Sequence, residues 1–392
     1  MTPWILIGIP LGLFAYAYAG YPLILALAGG LRRRRVARPA GERWPTVSIC
    51  LPAYNEAETI RDTLESLLAI DYPPDRRQIL VVSDASTDGT DEIVESYAPR
   101  GVELLRIPER GGKTAAENAA APLLTGEIVV NTDATIRILP DSLKPLVRAL
   151  DDPSVGVASG RDVSVGDEGP GANRGESGYV SYEMRVRRLE TRLGSIVGAS
   201  GCFYAIRREL HLKPVPDPLS RDFASALVAR ENGYRAVSVD EAVCLVPRTA
   251  SLRREFRRKV RTMARGLDTL FFKRHLLNPL RYGGFSFMLF SHKLCRWLVP
   301  PLVPLALLGL ALLGLRSAPF AVLTLLVLGL AAAGGLALAR AETRRLPRIL
   351  ALSAYVVAGV LAGMLAWSKS LGGERNPIWE PTRRGGTRGT AR

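Results

Sequence analysis

The chain has 392 residues, 47% of them hydrophobic and 23% charged; it is too long for one comfortable domain and has the wrong composition for a disordered chain, a collagen-like fibre or a coiled coil. Four cysteines without a CxxC pair (Cys50, Cys202, Cys244, Cys295) and three histidines exclude a zinc ribbon, a disulfide scaffold and a His-rich metal site. The net charge of +15 favours a partner that carries phosphate, yet the charge is segregated: four stretches have none, and Arg and Lys crowd their borders.

The first of these stretches runs from Trp4 to Leu31 and ends at Arg32-Arg33-Arg34-Arg35. It is too long for a signal-peptide core, and its basic end is the wrong one, so it reads as a retained transmembrane helix. By the positive-inside rule the four arginines are cytoplasmic, and so is the region after them.

From there to Arg296 the composition becomes that of an α/β domain. Val47–Leu51 is a short apolar run, a buried strand that breaks at Pro52. Ile60, Leu64, Leu67 and Leu68 give helical spacing over Glu58–Ala69. Gln78–Val82 is a second strand and Val102–Ile107 a third, with a helix between them from about Asp91. Lys113–Leu124 is helix-like, and Ile128–Val130 is a fourth strand. Strands alternating with helices predict a parallel, doubly wound sheet, with ligands outside the carboxyl ends of its strands.

Polar residues fall at those ends. Tyr54-Asn55-Glu56 follow the first strand, Asp84 and Asp88 the second, and Asp133 the fourth. Turn and capping chemistry accounts for Asp88 before Gly89 equally well. Acidic groups on two strands suit hydrogen bonding to a nucleoside and a divalent cation on a diphosphate. Arg110-Gly111-Gly112-Lys113 places a flexible loop and a cation before a helix, where backbone N–H groups favour phosphate.

Pro52-Ala53-Tyr54-Asn55-Glu56 and Val82-Ser83-Asp84-Ala85-Ser86-Thr87-Asp88-Gly89-Thr90 resemble the opening of family 2 glycosyltransferases with the GT-A fold, and most of all the membrane-embedded branch of cellulose, hyaluronan and poly-N-acetylglucosamine synthases. The likeness covers about Thr46 to Gly266. It implies an α/β, Rossmann-like GT-A domain in the cytoplasm with transmembrane helices at both ends. It also implies an inverting transferase that uses a nucleotide-sugar, a UDP-sugar in the first place, with Mg²⁺ or Mn²⁺. On this resemblance Ala53, Tyr54, Asn55, Glu56, Asp84, Lys113 and Asp133 bind the donor. Asp133 is the metal ligand, while Thr135 stands where the family's metal motif has its second acid.

Gly198 to Arg208 resembles the acceptor-side segment, with Ser200, Gly201 and Cys202 at its centre. Ser220-Arg221-Asp222-Phe223 matches the family's base motif. Asp222 is then the general base that takes the proton of the attacking hydroxyl, unless it merely caps the helix Ala224–Glu231. Arg221 replaces an acidic neighbour and would set a positive charge beside it. Arg265 matches the arginine that neutralises the leaving diphosphate. The tryptophan of that motif is Gly266 here, which removes a stacking platform for the acceptor and weakens the case for long-chain processivity.

Seven basic residues from Arg253 to Arg265, with Phe256, Val260, Met263 and Leu267 at helical spacing, predict a basic amphipathic helix on the membrane surface. A second interfacial helix is expected from Phe285 to Trp297. Trp297–Leu315, Ser317–Ala339 and Ile349–Ser368 follow as apolar runs, each about long enough for a bilayer core of roughly 30 Å. Arg340, Arg344, Arg345 and Arg348 make a second basic loop, and the tail after Lys369 is basic as well. The second basic loop and the tail flank the last run, so they cannot both lie inside if that run crosses; either one run is re-entrant or interfacial, or the tail is exported against its charge.

The expected organisation is therefore a transmembrane helix and basic stop (1–35), a GT-A domain (36–250), interfacial helices (251–296), a membrane region of about three segments (297–371) and a basic tail (372–392). The expected partners are a UDP-sugar, a polysaccharide or lipid acceptor and membrane lipid. Nucleic acid is not among them, because the positive charge borders membrane runs rather than an aromatic-studded sheet. The expected product is a polysaccharide at the cell membrane, exported through the protein's own helices in one form of this reading. The alternatives are a single sugar addition to a lipid, or a nucleotide-binding pseudo-enzyme. Oligomeric state is left open.

Overall fold

The computed structural model describes residues 2–31, 44–165, 172–247, 252–340, 347–374 and 378. Arg32–Arg35, most of the second basic loop and nearly all of the tail lie outside them. The chain forms two compact units. One holds the described residues of Arg32–Gly166, Tyr182–Arg248 and Arg375–Arg392, and the other those of Met1–Leu31, Asp167–Ser181 and Thr249–Glu374.

The first unit is built on an eight-stranded sheet. Its strands are β1 (Val47–Ala53), β2 (Arg77–Asp84), β3 (Val102–Ile107), β4 (Ile128–Thr132), β5 (Arg137–Ile138), β6 (Val155–Val165), β7 (Phe203–Arg207) and β8 (Arg235–Pro247), in the order β3-β2-β1-β4-β7-β6-β8-β5. β1 is buried along its whole length. Its alternate residues feed two cores: Ile49 and Leu51 face Ile60, Leu64 and Leu67, whereas Cys50 faces Ala116 and Ala120. Helices therefore cover both faces, as the predicted spacing requires. β1 does not stop at Pro52 as expected, because Pro52 and Ala53 still pair with β2. Pairing of β1 with β4 ends at Cys50↔Asn131, so Pro52 lies where β1 has one neighbour only and its missing N–H leaves no partner unsatisfied.

The expectation of a parallel sheet holds for β3, β2, β1 and β4 and fails beyond them. β7 runs antiparallel to both β4 and β6, and β5 antiparallel to β8, while β6 and β8 are parallel. The pairing Thr132↔Phe203 sets the end of β4 against the start of β7. This reversal brings the loop before β7 to the edge where β4 delivers Asp133. Strand alternation in sequence carries no information about that choice, which the pairing partners make.

The second unit is helical. Four helices in it are long and apolar enough to cross a membrane: Thr2–Gly30, Gly284–Gly314, Ala318–Ala339 and Ile349–Leu371. The expected interfacial helix before Trp297 is not separate. Past Gly284 the backbone runs on through a π-helical turn, Phe290–Cys295, into Arg296–Gly314: neither Gly nor Pro lies between Phe285 and Arg296, and the helix continues through Pro300, Pro301 and Pro304. A Cβ on Gly309 would lie 2.7 Å from the Pro3 carbonyl oxygen, so the absence of a side chain lets the first helix approach closely. The basic helix spans Leu252–Phe272 and packs against Arg348–Leu371, with Lys259 Nζ 3.7 Å from the centre of the Tyr355 ring. Gly266 sits beneath Trp297, whose indole would meet a Cβ there at 2.8 Å.

Candidate active site

The loops after β1 and β2 are stitched to each other. Ser86 Oγ accepts from the Asn55 N–H at 3.1 Å, and Asn55 Oδ1 accepts from the Thr87 N–H at 2.8 Å. Asp88 accepts from the N–H groups of Ala57 and Thr90, at 3.0 and 3.1 Å. Burial pushes its carboxyl up, but these bonds and the Thr90 hydroxyl outweigh burial and hold it below the usual range. Asp88 is thus a turn residue. Glu56 is buried, and its carboxylate accepts from the Thr59 hydroxyl at 2.8 Å. Ala53 is buried at the end of β1. The ring of Tyr54 lies under the Arg110 guanidinium, 3.7 Å from centroid to Cζ.

Asp84 ends β2 as expected, but its carboxylate does not stand open at the edge. It is 1% exposed, and its two oxygens accept from the N–H groups of Gly111 and Gly112 at 2.7 and 2.9 Å. Asp84 therefore shapes the loop that precedes Lys113. Gly112 has φ +90°, a conformation that disfavours any side chain.

The helix that follows, Lys113–Ala120, aims its first side chain along the sheet edge. Lys113 Nζ donates to Asp133 Oδ1 at 2.6 Å and to the Gly201 carbonyl at 3.1 Å, and it lies 4.0 Å from Glu117 Oε1. Burial works against its charge, but Asp133, Glu117 and Asp222 together overcome burial and hold its pKa above the ordinary lysine value.

The acceptor-side loop is fixed from beneath. Ser200 N–H donates to Ser159 Oγ at 2.8 Å, and its hydroxyl faces both oxygens of Asp162, at 2.7 and 2.6 Å. Burial raises the Asp162 carboxyl, with Arg187 and Ser200 opposing. Thr132 Oγ1 donates to the Cys202 carbonyl at 2.8 Å and ties this loop to β4. A Cβ on Gly201 would come within 2.5 Å of Asp222 Oδ2, so the missing side chain is what lets Asp222 reach the loop.

Asp222 lies in the first turn of the helix Arg221–Glu231, where Ser220 is the N-cap. Its Oδ1 accepts from the Ser220 hydroxyl and from the Phe223 N–H. The Arg221 guanidinium, expected beside that carboxylate, is instead turned into the protein, onto Asn118 Oδ1 at 3.0 Å and the His211 carbonyl at 2.8 Å. Burial and Arg221 together push the His211 imidazole well below its ordinary pKa.

The structure thus brings together Lys113, Asp133, Ser200, Gly201, Cys202 and Asp222 at one edge of the sheet. It makes Asp84, Asn55 and Glu56 supports of the loops around it. Arg265 belongs to the helical unit, on the helix Leu252–Phe272. Three participants go unmentioned in the sequence reading: Glu117, Asp162 and Ser159. An acid within Ala115-Ala116-Glu117-Asn118-Ala119-Ala120, otherwise mostly alanine, is the one signal that pointed to the first.

Among the described residues no three His, Cys, Asp or Glu side chains form a cage for a metal. Asp133 alone is suitably placed; its side chain is 28% exposed, and Lys113 occupies one of its oxygens. One open carboxylate does not hold Mg²⁺ or Mn²⁺ by itself. It does fit a cation that arrives with phosphate oxygens as its other ligands.

The family model described as glycosyl transferase family 2 matches residues 48–213. The matched segment covers less than half of the chain, whose sheet domain has a mixed α/β, GT-A architecture like that of the glycosyltransferases it resembles, and Asp222 lies just beyond that segment. The chain is similar to a mannosyltransferase from Pyrobaculum calidifontis solved with GDP-Man and Mn²⁺, at 26% identity and TM-score 0.71, over 93% of this chain and 99% of that one. It is 28% identical to an N-acetylglucosaminyltransferase of Mesorhizobium japonicum, over 52% of each protein. It is also 28% identical to a β-monoglucosyldiacylglycerol synthase of Nostoc sp., over 42% of this chain and 36% of that one. The chain spans about half or less of the length of these two curated relatives.

Proposed function

We propose that the protein is a membrane-bound, inverting hexosyltransferase that moves a sugar from a nucleoside diphosphate onto a growing polysaccharide, with its sheet domain in the cytoplasm. The donor is a UDP-sugar in the first instance. The observation that carries this reading is the meeting of Lys113 and Asp133 with Asp222 across the Gly201 backbone.

In this mechanism the donor diphosphate lies along the edge between the Gly111-Gly112 loop and Asp133. Lys113 offsets its charge, and a divalent cation held by Asp133 and the phosphates would offset more of it. Ser200, Gly201 and Cys202 line the acceptor side. Asp222 Oδ2 takes the proton of the acceptor hydroxyl as that oxygen attacks the anomeric carbon from the face opposite the diphosphate, which inverts the configuration there. Arg265 serves the leaving diphosphate.

A lipid acceptor and a single addition form the second reading. The indole of Trp297 lies against Gly266, so the surface of a tryptophan missing from that helix is already covered from within the unit. The test is to incubate the purified protein and Mn²⁺ with a panel of UDP- and GDP-sugars, then to measure released nucleoside diphosphate and product size. A ladder supports the polymer, and one added sugar supports the lipid. Nucleotide binding without any release would sink both readings and leave the pseudo-enzyme.

A further inference from the structure

The helix Lys113–Ala120 carries an acid that this reaction does not use. Glu117 stands one turn after Lys113 and is fully buried between the helix and the sheet. Neither of its carboxylate oxygens has a hydrogen-bond partner among the described residues. Burial pushes its carboxyl up, and Lys113 and Arg221 oppose this. The Arg221 guanidinium is already committed to Asn118 and His211. Lys113 is the cation left within reach: at 4.0 Å it stands just outside hydrogen-bond distance of Glu117, while it bonds Asp133 at 2.6 Å. One ammonium therefore lies between two carboxylates, bonded to the outer and short of the inner.

We infer that Glu117 is a positioning residue for Lys113, the inner seat to which the ammonium moves when a divalent cation and a diphosphate claim Asp133. The inference rests on the reading of Asp133 as cation ligand. A cation and an ammonium on the same carboxylate repel each other, so Lys113 must leave Asp133 for the cation to bind well. The flexible four-carbon stem of lysine allows a shift of a little over an ångström, which is all that closes 4.0 Å to a charge-assisted hydrogen bond. Because Glu117 is on the same helix, one turn on, the inner seat stays in register with Lys113 whatever the loops around it do. From that seat Lys113 remains beside the diphosphate and no longer competes for Asp133. Without the inner charge the ammonium stays on Asp133 and opposes the cation.

The test is Mn²⁺ binding to the full chain in detergent with saturating UDP or GDP, read from the free Mn²⁺ signal in electron paramagnetic resonance. Glu117→Gln keeps the shape and removes the charge. It should weaken Mn²⁺ by roughly tenfold, within the range that contacting residues give in double-mutant cycles. In a Lys113→Met background the same change should leave Mn²⁺ affinity where it was. If Glu117→Gln is poorly folded, Glu117→Leu, which suits the apolar surroundings, replaces it in both backgrounds. A merely structural Glu117 would weaken binding equally with and without Lys113, and that result overturns the inference. So does unchanged Mn²⁺ affinity in Glu117→Gln when the wild type binds. A wild type that binds no Mn²⁺ with either nucleotide overturns the donor-site reading itself.

Discussion

The two halves of the sheet supply the same edge by opposite means. In the parallel half, β2 and β4 end at the edge, and Asp84 and Asp133 leave from their carboxyl ends. In the other half β7 begins there, so Ser200–Cys202 enter the edge from outside, and Asp222 comes from the first turn of a helix. The parallel half holds its acids by main-chain donors: Gly111 and Gly112 on Asp84, Ala57 and Thr90 on Asp88. The reversed half places its acid by the absence of a side chain, Gly201 against Asp222. The first arrangement makes a stiff floor. The second leaves Asp222 Oδ2 facing the Gly201 backbone.

The sharpest way to break this comparison is to alter one half and read the other. Asp222→Asn removes the proposed base and keeps the shape, so sugar transfer should fall by about 10²–10⁴. Nucleotide affinity, which the proposed function assigns to the parallel half, should stay within about twofold in calorimetry if the halves act independently. Near-normal turnover in a folded Asp222→Asn protein would return Asp222 to a purely structural role.

Asp84→Ala attacks the floor. It leaves the buried N–H of Gly112 and the part-buried N–H of Gly111 without their acceptor, at a cost of about 1–3 kcal/mol for the buried one and less for the other. The melting temperature should drop and nucleoside diphosphate affinity should fall with it. An unchanged affinity would mean that the Gly-Gly loop does not touch the donor.

The smallest effect tests the reversed half alone. Asp152 bonds Arg235 Nη2 at 2.8 Å at the start of β8. Burial raises its carboxyl, but Ser154 and Arg235 outweigh burial and bring it down from 3.8 to about 2. A carboxyl depressed in the folded state stabilises the fold above its unfolded value, and that stabilisation fades as pH falls from about 4 to about 2. The loss is about 2 kcal/mol. A thermal-stability profile of Asp152→Asn should therefore be flatter than the wild type over that interval and lower above it.

The parallel half was legible because its strands are short, β-branched and separated by helices of clear period; Val102–Ile107 falls where the apolar run puts it. The reversed half was not. β6 and β8 mix polar residues such as Asp162, Ser164 and Asp240 into long strands and show no single period. Asp133 and Asp222 were legible as acids after a strand and before a helix. That Gly201 is the space Asp222 occupies was not, since the two meet only when β7 is reversed. Asp84 shows the converse: its place at the edge was readable, but the use of both its oxygens by a distant loop was not.

β7, the strand between β4 and β6, is also late in the chain. Ile128 pairs with Arg207, so one flank of β4 has no partner until the ribosome has passed that residue. At ordinary synthesis rates the wait is on the order of ten seconds. Through it an apolar strand stands with open N–H and C=O groups, and such an edge is a template for aggregation. Fragments that stop short of Phe203 inherit the same open edge for good, so truncations meant to isolate the parallel half have to carry β7 with them.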